Sequence, residues 1–183
     1  WFDQSGNSND VTQGSSLLRP KIYDATTGVI VDTNGSPAMD FTGTQELTSA
    51  SITAIAQPST AISVVDTTGR VGAAWYFYSL GLTAVAGIHD NNLQMRMYAG
   101  SSYVSGIPGS GVNTLRLDFS LFDGANSEIW FNGSSILTGN PGTNGISGIR
   151  IGGLFNPGLK GLFNEFIAYP SDQSAAGNRP SIE

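Results

Sequence analysis

The sequence contains no cysteine and only one histidine, His89. Without cysteine the chain can form no disulfide, no thiolate metal site and no cysteine nucleophile. A Ser-His-Asp triad would have to use His89, which precedes Asp90 in a predicted turn. We interpret His89 as a turn residue, and a single histidine without cysteine also disfavours a zinc site.

Charge is scarce, at 12% of the 183 residues, whereas an average soluble domain has about 25%. The 14 acidic residues outnumber the 8 basic ones, giving a net charge of −6. Because nucleic-acid binding needs several cations on one face, the scattered Lys and Arg residues argue against a nucleic-acid partner. The uncharged run 72–88 is short and interrupted by glycines, so we predict no membrane span.

The dominant hydrophobic period is two. In residues 115–121 leucine and phenylalanine alternate with Arg116, Asp118 and Ser120, which predicts an antiparallel strand with one apolar and one wet face. Residues 93–98 repeat this pattern. Asn132-Gly133 stands between two apolar runs and predicts a tight hairpin.

Frequent Gly, Pro and Asn turn signals separate these short strands, and no long window has the 3.6-residue period of a helix. A short helix is predicted only near residues 171–176, with Ser171 as its cap. The sequence has no linker and no internal repeat. We therefore predict one all-β domain over residues 1–183, an antiparallel two-sheet β-sandwich of the jelly-roll type.

Several blocks of the sequence resemble a known family. The opening residues WFDQSGNSND are similar to the W-[YF]-D-Q-S-G-N-x-N-D segment of concanavalin A-like, laminin-G-like jelly-roll modules. Later blocks follow in the family's order: PKI at 20–22, NGSPAMDF at 34–41, IWFNG at 129–133, IRIGG at 149–153 and GLFNEFIAY at 161–169. Thr42 departs from the family's D-F-D-G pattern. Members of the family usually continue with a final strand, and we therefore expect a fragment of a longer chain.

The resemblance implies a concanavalin A-like fold and a set of fold-determining residues. These are Trp1, Asp3, Gln4, Gly6, Asn7, Asp10, Asn132, Gly133 and Glu165. Trp1 is expected to fill a core gap beneath its loop, and Asp3 and Asn7 to bond turn backbone. Glu165, among aromatic and aliphatic neighbours, is expected to be a partly buried carboxylate held by loop amides.

Candidate sites remain sparse. Glycoside hydrolysis needs two nearby carboxylates, yet Glu46, Glu128 and Glu165 are far apart in sequence, and we predict a protein that is not an enzyme. No EF-hand pattern occurs, so the metal content is left unknown, with structural calcium as an alternative and no other cofactor expected. Exposed aromatics could stack on sugars, and the candidates are Tyr76, Tyr78 and Tyr98, with a core or interface role as the alternative.

Modules similar to this one occur in bacterial surface proteins, carbohydrate-active proteins and bacteriophage virions. The resemblance therefore implies an extracellular, non-enzymatic structural or adhesion module, with a virion decoration, fibre or tail protein as the preferred instance. Its partners would be other subunits of an assembly, as in a homo-oligomer. A lectin-like carbohydrate-binding module and a glycoside hydrolase whose carboxylates meet only in space are the alternatives.

Overall fold

The computed structural model describes residues 1–50, 52–68, 78–79, 85–89, 94–101, 104–106, 114–153, 158–175 and 178, with backbone alone at 78–79, 85–89, 94 and 105–106. The strands of this part of the chain are β1 (Val11–Thr12), β2 (Tyr23–Asp24), β3 (Gly28–Val29), β4 (Met39–Thr42), β5 (Glu46–Ser49), β6 (Ser59–Asp66), β7 (Tyr78–Ser79), β8 (Val85–His89), β9 (Gln94–Tyr98), β10 (Val104–Gly106), β11 (Leu115–Phe122), β12 (Ser127–Phe131), β13 (Ser134–Gly139), β14 (Arg150–Gly152) and β15 (Lys160–Tyr169). Short 3₁₀ turns cover Ser16–Leu18 and Gly124–Asn126.

The strands form two large antiparallel sheets and one small hairpin. The seven-stranded sheet has the order β1-β5-β14-β7-β8-β9-β10, and the six-stranded sheet has the order β13-β12-β11-β6-β15-β4. The hairpin pairs β2 with β3. This arrangement confirms the predicted all-β, two-sheet sandwich. Within the described residues, no helix has the length and apolar character needed to cross a membrane.

The main core lies between the two sheets. Its fully buried residues come from both of them: Phe41, Val65, Phe122, Ile129 and Phe163 from one sheet, and Met95, Met97 and Ile151 from the other. The rings of Phe41 and Phe163 meet edge to face, with centroids 6.3 Å apart. Burying each such side chain contributes about 1.5–3 kcal/mol, so this layer stabilises the contact between the two sheets.

Strand β11 has no wet face, which makes the sequence prediction wrong at this point. Arg116, Asp118 and Ser120 are exposed by only 2%, 0% and 0%. Asp118 is in register with Phe131, a main-core residue, and the Arg116 guanidinium carbon lies 4.8 Å from the centroid of the Phe131 ring. The polar face of β11 is therefore the face turned toward the other sheet.

The opposite face of β11 carries a second apolar cluster. Phe119 and Leu121 pack there with Ile62 and Trp130, and the Phe119 and Trp130 rings meet edge to face at 5.4 Å. Alternation shows that the two faces of a strand differ, but it does not show which face is covered. Both faces of β11 are buried, and its ionic residues are tolerated inside because they pair with each other.

Arg116 and Asp118 form a buried ion pair between the two sheets. Arg116 Nε donates to Asp118 Oδ1 at 2.9 Å, while Asp118 Oδ2 is buried without a hydrogen-bond partner. Burial raises the pKa of Asp118 to about 6, although the Arg116 charge and hydrogen bond act in the opposite direction. Asp118 therefore carries a desolvation cost that a surface carboxylate does not have.

The Asn132-Gly133 turn joins β12 to β13 as predicted. Asn132 has φ 43° and Gly133 has φ 79°, the left-handed pair that a tight hairpin turn requires. Asn132 also accepts a hydrogen bond from Leu117 N through its side-chain Oδ1 at 2.8 Å. The turn residue therefore holds the hairpin against β11 as well as closing it.

Two expectations about the end of the chain are wrong. Glu165 is exposed, because a β-bulge between Phe163 and Glu165 shifts the register of β15 against β6. Residues 171–175 are not helical. Thr60 of β6 binds this segment instead: its Oγ1 donates to Ser171 O and accepts from Gln173 N, both at 3.0 Å.

Candidate functional site

A groove of about 870 Å³ opens at one edge of the sandwich. We call it the edge groove, and its described lining consists of Trp1, Val11, Thr12, Gln13, Arg19, Pro20, Ile22, Tyr23, Val29, Pro37, Ala38, Met39, Leu47, Phe163 and Asn164. At this edge β1 is the last strand of the seven-stranded sheet and β4 is the last strand of the six-stranded sheet. At the opposite edge β10 and β13 contact each other. Its volume is within the usual range for small-molecule sites.

The first ten residues form a loop held by side-chain hydrogen bonds to the backbone. Asp3 accepts from Ser5 N at 2.8 Å and from Asn9 N at 3.0 Å, and Asp10 Oδ1 accepts from Asp3 N at 2.8 Å. The hydrogen bond from Asn9, followed by those from Ser5, lowers the pKa of Asp3 below its usual value. Gly6 has φ 81°, which only glycine adopts without strain.

The two amide residues of this motif act within the loop. Gln4 Nε2 donates to Phe2 O at 3.4 Å, and Asn7 Nδ2 donates to Ser5 Oγ at 2.9 Å. Both bonds join residues two positions apart. Gln4 and Asn7 therefore hold the local shape of the loop, and within the described part of the chain their side chains make no hydrogen bond across the edge groove.

Trp1 forms one wall of the edge groove. Its main chain pairs with Val11 in both directions, with N···O distances of 2.9 and 3.1 Å. Its ring meets Phe163 edge to face at 6.1 Å, yet 40% of the residue stays exposed. The expectation that Trp1 fills a core gap is therefore met on one side of the ring only, because the other side remains open to solvent.

Tyr23 is presented on the small hairpin that covers the groove. Asp24 Oδ1 accepts from Thr26 N at 2.9 Å and from Thr27 N at 3.3 Å, closing the turn. These bonds, Thr26 first, lower the pKa of Asp24. Tyr23 is in register with Val29 and is 61% exposed. A rigid turn thus holds an aromatic ring in solvent beside an apolar groove.

Arg19 and Gln13 supply polar groups at the groove. Arg19 Nε donates to Gln13 O at 2.8 Å, and Arg19 Nη2 donates to Gly14 O at 3.2 Å. Gln13 Oε1 accepts from Ser15 N at 2.9 Å, and Gln13 Nε2 reaches Glu46 O at 3.3 Å. The backbone therefore fixes the guanidinium, while Arg19 itself is exposed.

The bulge in β15 connects the groove to the Asp32–Ser36 loop. Asn164 Nδ2 donates to Asp32 Oδ2 at 2.9 Å and to Pro37 O at 3.1 Å. Asp32 Oδ1 in turn accepts from Asn34 N at 2.8 Å and from Ser36 N at 2.9 Å. Asn164 thus attaches the loop to the sandwich and keeps Pro37 at the groove.

Of the three tyrosines predicted from the sequence, Tyr98 is not among the described residues that line the edge groove. Tyr76 lies outside the described residues. Tyr78 is described by its backbone alone, in β7, in register with Ile151 and Ala86. Tyr98 is half-buried in β9, on the face opposite Met95 and Met97. Their role in glycan binding stays a prediction.

Sequence reasoning missed Tyr23, Gln13, Arg19 and Asn164 as groove residues. One signal was available: Ile22 and Tyr23 are adjacent in an extended segment before a turn, so they point to opposite sides. Ile22 comes directly before the two-residue strand β2, and the structure leaves Ile22 and Tyr23 65% and 61% exposed. Nothing local marks Arg19, because its groove position depends on contacts between distant segments.

Carboxylates are not gathered in this region. Glu46 lies in the seven-stranded sheet, whereas Glu128 and Glu165 lie in the six-stranded sheet. No Asp, Glu or His occurs among the described lining residues of the edge groove. Within the part of the chain that the structure describes, no three such side chains are grouped as metal ligands.

Solved structures share this architecture. Domain 4 of the GH43 extracellular arabinanase AbnA from Geobacillus stearothermophilus, solved with arabinotriose, has a TM-score of 0.57 at 13% identity, covering 77% of this chain and 74% of that one. A Trypanosoma rangeli sialidase has a TM-score of 0.58 at 14% identity, covering 82% and 28%. The SAP-like pentraxin from Limulus polyphemus has a TM-score of 0.50 at 13% identity, covering 72% and 75%.

These similarities establish the architecture. The fold is a jelly-roll β-sandwich. At such low identity the likeness extends to the fold alone, and the chain spans just over a quarter of the sialidase. No protein-family model and no curated protein sequence matches the chain.

Proposed function

We propose that this jelly roll is a non-catalytic carbohydrate-binding module that holds a glycan in the edge groove. The observation that carries the proposal is the pair of exposed aromatic residues, Trp1 and Tyr23, at a groove that also contains fixed polar groups. A sugar ring stacks its apolar face on an aromatic ring while its hydroxyls bind polar side chains. The arabinanase domain, a jelly roll solved with arabinotriose, supports the same use of this fold.

Binding rather than hydrolysis is proposed because of the groove's chemistry. Glycoside hydrolysis requires two carboxyl groups placed on either side of the scissile bond. The described lining residues contain none. We therefore propose a binding module rather than a hydrolase, and we propose that it is extracellular.

The test is titration of a soluble glycan panel, including arabino-oligosaccharides, by calorimetry. We expect Trp1→Ala and Tyr23→Ala each to weaken the best ligand at least about tenfold, which corresponds to about 1.4 kcal/mol. Phe2→Ala is the matched control, because Phe2 is 77% exposed but does not line the groove. If Tyr98→Ala loses glycan binding while Tyr23→Ala keeps it in full, the glycan site lies on the seven-stranded sheet and not in the edge groove.

A second candidate function is the structural or adhesion module of an extracellular assembly, such as a phage virion. It is favoured by the exposed large apolar residues of the described chain, which all lie within residues 1–31: Trp1, Phe2, Leu17, Ile22, Tyr23, Val29 and Val31. Trp1, Ile22, Tyr23 and Val29 also lie together at the edge groove, and a contiguous exposed apolar patch is typical of interaction surfaces. A stable homo-oligomer would bury about 1,200 Å² or more.

Light scattering separates the two candidates. An assembly module should form a defined oligomer that Leu17→Asp or Ile22→Asp dissociates, whatever glycan is added. A carbohydrate-binding module should remain functional as a monomer, and its melting temperature should rise with one class of glycan. An oligomer that survives both substitutions would contradict the assembly proposal at this surface.

A further inference from the structure

The guanidinium of Arg19 is held in place but keeps free donors. A guanidinium has five N–H groups. Two of them are used, by Nε and Nη2 on the carbonyls of Gln13 and Gly14. Among the described residues no other acceptor binds Arg19 and no carboxylate forms an ion pair with it. The side chain therefore presents Nη1 and one N–H of Nη2 in a preset orientation.

The charge of Arg19 is also uncompensated within the groove. The described lining has no acidic side chain, although the protein as a whole has a net charge of −6. The carboxylate of Glu46 accepts from Gln13 Nε2 at 3.4 Å, and Glu46 is not among the described lining residues. Arg19 is exposed at this apolar groove, so a ligand that enters the groove can reach its free N–H groups.

We propose that the edge groove selects carboxylated oligosaccharides, with Arg19 as the residue that binds the sugar carboxylate. This inference rests on the carbohydrate-binding function proposed above and names its ligand class. Two N–H groups of one guanidinium match the two oxygens of a carboxylate, a geometry that lysine cannot reproduce. Trp1 and Tyr23 supply the apolar faces against which the sugar rings lie, so charge and stacking act on different parts of one ligand.

The experiment compares each acidic ligand with its neutral methyl ester. Oligogalacturonate and its fully methyl-esterified form share a sugar skeleton, and sialyllactose with its sialic acid methyl ester gives a second such pair. Four full-length proteins are titrated: wild type, Arg19→Gln, Arg19→Lys and Arg150→Gln. Arg150, in β14, is the charge-matched control because it does not line the groove.

We expect an acidic oligosaccharide to bind wild type more tightly than its neutral counterpart. Arg19→Gln should weaken the acidic ligand roughly 10- to 100-fold, the range for a hydrogen bond to a charged group, and leave the neutral ligand unchanged. Arg19→Lys should show a smaller loss than Arg19→Gln, and Arg150→Gln should bind the acidic ligand as tightly as wild type. Whichever acid responds, galacturonate or sialate, identifies the ligand.

The failures of the two proposals are distinguishable. If neutral glycans bind, depend on Trp1 and Tyr23, and match the acidic ones in affinity, the carboxylate inference is wrong and the binding function stands. If Arg150→Gln weakens acidic ligands as much as Arg19→Gln, the effect is one of overall charge and the inference is again wrong. If no glycan binds at all, both are overturned.

Discussion

Residues 1–31 and the two-sheet sandwich are stabilised in different ways. In the sandwich, aromatic and aliphatic side chains are fully buried, and even the ionic residues of β11 are enclosed. In residues 1–31 large apolar side chains are exposed, and the conformation depends on carboxylates that accept backbone hydrogen bonds, as Asp3 and Asp24 do. A segment whose shape does not depend on burying its apolar groups can keep those groups available for a ligand. The edge groove lies where the two regions meet.

The largest difference in stability between the two regions is expected from a pair of phenylalanine substitutions. Phe163 is fully buried and contacts both Trp1 and Phe41, whereas Phe2 is 77% exposed. We expect Phe163→Ala to reduce the free energy of unfolding by about 3–5 kcal/mol through cavity formation. Phe2→Ala should change it by less than about 0.5 kcal/mol. Urea denaturation measures the loss of unfolding free energy in both variants. Equal losses would contradict the difference between the sandwich and residues 1–31.

The pH dependence of stability should have opposite signs in the two regions. Burial raises the pKa of Asp118 from 3.8 to about 6, so between these pH values the folded state holds a proton that the unfolded state has released. The free energy of unfolding therefore falls by roughly 3 kcal/mol as pH rises through this window. The pKa of Asp3 is lowered, so its contribution is present above about pH 4 and is lost as pH falls further.

Unfolding measured from pH 2.5 to 8 in Asp118→Asn and Asp3→Asn tests both signs. Asp118→Asn should flatten the region between pH 4 and 6, and Asp3→Asn should flatten only the acid end. The slope is the readout, because Asp118→Asn also leaves the buried Arg116 without its carboxylate. A wild-type curve that rises steadily from pH 4 to 6 would contradict the role of Asp118.

Two glycines with nearly the same backbone angle isolate the effect of packing. Gly6 has φ 81° with open space where a Cβ would stand, whereas Gly152 has φ 75° with the Gln45 carbonyl and Phe41 ring against that position. Alanine at either site incurs a left-handed strain of about 1–2 kcal/mol. Gly152→Ala should cost about 1–3 kcal/mol more, because it overpacks the core. If the two variants lose the same stability in thermal unfolding, the sandwich around Gly152 accommodates the added methyl group as easily as the loop around Gly6.

The smallest effect is expected from loosening the loop alone. Asp3→Ala removes the acceptor for Ser5 N and Asn9 N, so their amide hydrogens should exchange faster. Amides of β6 and β11 should keep their protection, because among the described residues Asp3 bonds only within residues 1–10. Faster exchange in β6 would show that the loop and the sandwich open together.

Much of the fold could be predicted from short-range patterns. The Asn132-Gly133 turn, the alternation in β11 and the hydrogen-bonding loop at residues 1–10 each involve neighbours in sequence, and the structure contains all three. Most of the predictions that failed concern burial, whereas the helix expected near residues 171–176 failed as local structure. The inner face of β11, the exposure of Glu165 and the open side of Trp1 each depend on a partner far along the chain.

The sequence by itself determined the β class, the tight turns and the shortage of charge, because backbone angles and local hydrogen bonds are set by adjacent residues. Only the tertiary structure decided which faces are buried and which groups meet. Trp1, Arg19, Tyr23 and Phe163 come from separate segments, and they form one groove because the edge strands β1 and β4 bring those segments together. Burial is a property of packing between distant segments, and no local pattern encodes it.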